Sequence, residues 1–177
     1  MRVSLRPHPD FPCEALAGLE ADVARAGASL ALTYVATGDI GALLIPAAAP
    51  AARADELWKH TCFEAFVRPQ DGPGYVELNF APSGRWAAYR FDGYRKGMRE
   101  AQIAAPRIEA VRTEDRLSLA VEVDLAPVLG VDRPWRVALA AVVESLSGAK
   151  SYWALAHPAG RPDFHDAAGF TLELAGT

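Results

Sequence analysis

Apolar and polar side chains alternate along most of this chain. Segments with a period of two run at 3–6, 29–35, 42–45, 61–67, 75–80, 85–91, 116–124, 136–143, 151–155 and 170–174, separated by turn-forming residues rich in Gly and Pro. Such alternation sends successive side chains to opposite faces, so each segment reads as a strand with one side toward a core. Many short strands with no regular helices between them predict an all-β fold. The expected form is a jelly-roll-like, two-sheet antiparallel β-sandwich in which 1–177 is a single domain. Residues 16–25 carry both periods. Leu16, Leu19 and Val23 sit at helical spacing, while Leu19, Ala21 and Val23 alternate with Glu20, Asp22 and Ala24; the alternation is preferred and a strand is expected.

The stretch DELWKHTCFEAFVRPQDGPGYVELNFAPSGRWAAYRF, 55–91, predicts a three-strand meander turned by RPQDGPG and by APSG. With Phe66 opposite Tyr75, Glu64 faces Glu77 and Cys62 faces Asn79. A tight second hairpin then sets Asn79 opposite Trp86 and Tyr75 opposite Arg90. One face collects Cys62, Glu64, Phe66, Tyr75, Glu77, Asn79, Trp86, Ala88 and Arg90. The other collects Phe63, Ala65, Val67, Val76, Leu78, Phe80, Ala87, Tyr89 and Phe91, which is the expected core side.

The first face mixes carboxylates, an amide and an arginine with large rings, the chemistry that stacks on sugar C–H faces and reads adjacent hydroxyls. Glu64, Tyr75, Glu77, Asn79, Trp86 and Arg90 are therefore the candidate ligand-binding set, extended at the rim by Tyr94, Arg95 and Trp153. Trp58 and Trp135 are read as packing. The other reading of this face is a charge ladder on an open sheet surface, which contributes little energy. Glu64 and Glu77 on adjacent strands would also lie near the ~5 Å carboxyl spacing of retaining glycosidases, so an acid/base hydrolase is the alternative function.

A second cluster lies in HPAGRPDFH, where His157, Asp163 and His165 are acceptable metal ligands if the loop folds back. A metal-dependent hydrolase would use that loop. The competing role for these residues is capping and packing in a Pro-stiffened loop. His60 and Cys62 supply only two donors. No nucleophile elbow or Gly-rich phosphate loop is present.

Composition narrows the partners. A net charge of −4 without a Lys/Arg block argues against nucleic acid. The longest apolar run is far short of ~18 residues, so no membrane-spanning helix is expected. The N-terminus, MRVSLRPHPDFPCEALAG, has no apolar run of a secretory signal, and Cys13 and Cys62 are the only cysteines; both are expected as free thiols in a cytoplasmic protein.

DELWKHTCFEAF, YVELNFAPSGRWAAYRF, YRKGM, SYWALAHP and PDFH together resemble the DOMON-like proteins that are similar to family 9 carbohydrate-binding modules. In those relatives an acidic-Leu-Trp turn leads into a strand with an inward Glu, then a Tyr-x-Glu strand and a Pro-Ser-Gly turn. The matching positions here are Asp55, Leu57, Trp58, Glu64, Tyr75, Glu77 and Pro82-Ser83-Gly84, and the likeness covers roughly 28–166. It implies a β-sandwich with a pocket on one sheet or at its rim, binding sugars or, in the wider group, haem through Met and His. Met1 and Met98 are the only methionines and fit no haem motif, so no cofactor is expected. The reading is a non-catalytic module for a saccharide-like or other small polar ligand.

Overall fold

The computed structural model describes residues 1–176. It is all-β, with thirteen strands and three short 3-10 turns. The strands are β1 (Arg2–Pro7), β2 (Leu16–Ala26), β3 (Ser29–Gly38), β4 (Ala52–Arg53), β5 (Cys62–Pro69), β6 (Tyr75–Phe80), β7 (Arg85–Phe91), β8 (Arg99–Glu100), β9 (Arg107–Arg112), β10 (Arg116–Asp124), β11 (Trp135–Glu144), β12 (Lys150–Ala154) and β13 (Leu172–Leu174). Residues 16–25 are indeed a strand. Residues 42–45, expected as a strand, form a 3-10 turn end and a single bridge at Leu43, and β9 was not anticipated; it is exposed along its length except for half-buried Ile108.

Strand pairing runs as one path, β4-β7-β6-β5-β11-β12-β1-β2-β3-β10-β9, with β13 on β11 and β8 on β7. All pairs are antiparallel except the short β4–β7 contact. The path curls because β1 serves both halves. Its residues Arg2–Leu5 pair with β2, and Arg6 and Pro7 pair with Ala154 and Trp153 of β12. Pairing therefore gives one continuous curled sheet where two separate sheets were expected.

The two halves share a core. Leu19, Leu30, Tyr34, Leu117 and Leu119 from one half meet Phe63, Leu78, Phe80 and Trp135 from the other. The Tyr34 ring lies 5.1 Å from Phe63, and its hydroxyl donates to the Glu64 carbonyl at 2.8 Å. Each such ring or branched side chain contributes about 1.5–3 kcal/mol on burial.

β5 and β6 differ from β3 and β10 in one way that matters for function. β3 and β10 alternate between buried and exposed or half-buried positions over much of their length, whereas Cys62–Val67 and all of β6 are buried on both faces. One face meets the shared core. The other is covered by loops, so its polar residues Glu64, Glu77 and Asn79 are taken out of water.

Candidate functional site

The loop-covered face is built across five strands. Glu64 stands between Asn79 on β6 and Ala140 on β11, while Phe66 stands between Glu77 and Ala138. Ala140 in turn pairs with Ala154 of β12. These alanines leave room where larger residues would fill the surface. A cavity of about 520 Å³ opens there, lined by Trp58, Lys59, Glu64, Glu77, Phe91, Arg95, Met98, Val142, Lys150, Tyr152, Pro162, Phe164 and His165.

The meander register decides who faces it. β5 and β6 are slipped by two residues from the expected pairing, with Phe66 opposite Glu77, and a slip of two keeps every side chain on its face. The second hairpin is different. Ala81 N–H donates to the Arg85 carbonyl, so Pro82, Ser83 and Gly84 form a three-residue loop with Gly84 at φ +90°, and Phe80 pairs with Trp86. That odd-length loop shifts β7 by one residue and turns it over. Trp86 and Arg90 leave the candidate set: Trp86 joins the shared core beneath Arg53, and Arg90 is exposed. Tyr89 and Phe91, expected in the main core, face the cavity side instead.

Trp153 is also corrected. Its ring is in the shared core with Nε1 donating to Ser151 at 3.0 Å, and the neighbouring Tyr152 lines the cavity. Asn79 is fully buried behind the cavity, donating to Glu77 Oε1 at 2.7 Å. Tyr94 is exposed at the rim.

The histidine loop splits. His165 enters the cavity, but His157 points to β1, where Nε2 donates to the Arg6 carbonyl at 2.8 Å and its ring lies 5.0 Å from His8. Asp163 accepts from the Tyr94 hydroxyl, from Arg95 Nη2 at 2.7 Å and from the His165 backbone N–H at 3.1 Å. The convergence of His157, Asp163 and His165 on one ion is not what the loop adopts. Among the described residues, no group of three or more His, Cys, Asp or Glu side chains is placed to hold a metal ion.

A hydrogen-bonded chain backs the cavity. Arg95 N–H donates to the Tyr75 hydroxyl at 3.2 Å, which leaves the phenol proton for His165 Nδ1 at 2.7 Å. His165 then carries its own proton on Nε2, 3.8 Å from Glu77 Oε2. Packing of this imidazole against Phe66, Phe91 and Tyr75, reinforced by the Arg95 charge, lowers its pKa to about 4. Burial raises both carboxyl groups, and for Glu64 the neighbouring Glu77 adds to the effect, while Asn79 and Arg95 partly offset it for Glu77. Glu64 Oε1 is buried without a hydrogen-bond partner.

Asp55 explains how Trp58 reaches the site. The Tyr89 hydroxyl donates to Asp55 Oδ1 at 2.6 Å, fixing the start of the Leu57–Lys59 turn, and Trp58 packs edge-on to Tyr89 at 6.1 Å. Sequence reasoning left out Trp58, Lys59, Phe91, Met98, Lys150, Tyr152 and Phe164. The acidic-Leu-Trp motif was the available signal for Trp58, and the alternation Tyr152, Ala154 against Trp153 was the signal for Tyr152.

No protein-family model and no curated protein sequence matches the chain. The fold is similar to that of a solved structure from Bacteroides uniformis ATCC 8492, provisionally described as a carbohydrate-binding protein. The TM-score is 0.70 with 16% identity, covering 96% of this chain and 84% of that one. At that identity the likeness is one of fold.

Proposed function

We propose that this chain is a non-catalytic binding domain for a saccharide or similarly polyhydroxylated ligand, a DOMON-like relative of family 9 carbohydrate-binding modules. One observation carries the reading: rings of Trp58, Phe91, Tyr152 and Phe164 wall a cavity whose wall also carries Glu64, a buried carboxyl with an unpartnered oxygen. Natural interiors rarely leave such an atom unsatisfied, and a ligand hydroxyl would satisfy it. Apolar walls with a few convergent polar groups are the usual makeup of small-molecule sites. The fold shared with the B. uniformis protein supports the same reading.

Hydrolysis by Glu64 and Glu77 is the weaker alternative. A retaining pair needs one ionised nucleophile beside its acid, whereas burial pushes both carboxyls here toward the neutral form. Titration with a panel of mono- to trisaccharides, followed by Trp fluorescence and calorimetry, tests the binding reading. Wild type should bind a member of the panel without releasing reducing ends, and Trp58→Ala should weaken binding by about tenfold or more. Turnover of a glycan would replace binding with catalysis, and no response to any sugar would overturn the reading.

A further inference from the structure

Three cations line the cavity, and two of them, Lys59 and Arg95, are paired with Glu56 and Asp163. Lys150 lines the cavity, yet it makes no ion pair among the described residues. A partner is at hand, because Glu144 is its direct cross-strand neighbour. Cross-strand opposite charges ordinarily meet. Glu144 instead engages His60 Nδ1 at 2.7 Å, so Lys150 is left unpaired.

Arg95 is prepared differently. Asp163 holds it through Nη2 at 2.7 Å, and Tyr94 contacts its guanidinium as well. The same aspartate binds the Tyr94 hydroxyl and the His165 N–H, so Arg95 is fixed in place. A pinned guanidinium fork and an unpaired ammonium lining one cavity are the groups that receive a carboxylate.

The nearby acids do not cancel this. Glu64 and Glu77 are both buried, and burial raises both carboxyls toward the neutral form, for Glu77 against the partial offset of its bond from Asn79. In that form Glu64 can donate to an acidic ligand rather than repel it.

We propose that the saccharide taken by this cavity bears an acidic group, a uronate-type carboxylate, received by Lys150 and Arg95. This rests on the saccharide reading above and narrows it to a ligand class. Lys150 then determines specificity: it distinguishes the acidic sugar from its neutral counterpart.

The test compares matched ligands by calorimetry: uronic acids and oligouronates, the neutral sugars of the same configuration, and the corresponding amino sugars. Wild type should bind an acidic member about tenfold or more tighter than its neutral match, the gain expected of one charge-assisted hydrogen bond. Lys150→Gln should bring the ratio of acidic to neutral affinity close to one, and Lys150→Arg should restore the preference for the acidic member. Equal affinity for acidic and neutral sugars, or preference for the amino sugar, would overturn the acidic ligand and leave the saccharide reading standing. No binding by any member of the panel would overturn both.

Discussion

The Tyr75 hydroxyl lies 2.7 Å from His165 Nδ1, and this contact ties the loop that closes the cavity to the strand beneath it. Its chemistry has a consequence for acid stability. The largely buried His165 titrates near 4 in the fold and near 6.5 when unfolded. The unfolded chain therefore takes the proton more readily, so the histidine's contribution is complete above pH 6.5 and is lost as pH falls toward 4. Denaturant titrations at a series of pH values should show wild type losing about 3 kcal/mol more than His165→Gln between pH 7 and pH 4. Parallel curves for the two proteins would contradict the buried neutral imidazole.

Glu64 has the opposite sign. A carboxyl whose folded pKa is raised stabilises the fold below its ordinary value near 4.5, and that contribution is lost as pH rises through the folded value. Glu64→Gln should thus gain stability relative to wild type as pH increases, read by the same titrations. A difference that does not change with pH would mean that Glu64 is ionised and paired.

Trp86 and Arg90 separate core from site. Trp86→Ala should cost about 3–5 kcal/mol because it empties part of the shared core, yet the protein that remains folded should bind with unchanged affinity. Arg90→Ala should change stability by no more than about 0.5 kcal/mol and leave binding intact. Loss of binding in Arg90→Ala would return that residue to the site.

The fate of β7 shows how far the sequence could be read. Most strand positions, the hydrophobic face of β5 and β6, and the shared face of Glu64 and Glu77 follow from alternation, because burial on a pleated strand has a period of two. Alternation cannot fix a hairpin's length. APSG is compatible with an even or an odd loop, and the three-residue form with Gly84 at positive φ exchanges Trp86 and Arg90 for Tyr89 and Phe91. The walls supplied by Phe164, Lys150 and Met98 were not legible for another reason: segments far apart in the chain, the start of β12 and two loops, bring them together, and no local pattern records that convergence. β1 illustrates the same limit for the fold, since 3–6 read as one strand, yet Val3, Ser4 and Leu5 pair with β2 and Arg6 with β12.

Cys13 is half-buried and Cys62 fully buried, and neither is bridged. Burial and the nearby Glu64 push the Cys62 thiol up, which suppresses its thiolate. A thiol reagent should count one reactive cysteine in the native protein and two after denaturation without reductant. Two fast-reacting thiols in the native state would mean that β5 is open to solvent.

A crystal structure of the protein soaked with the tightest sugar from the titration panel locates the ligand. Density is expected against Trp58 and Tyr152, with a ligand oxygen within hydrogen-bonding distance of Glu64 Oε1. Density at another face, or a sugar that leaves Glu64 Oε1 unpartnered, would contradict this placement.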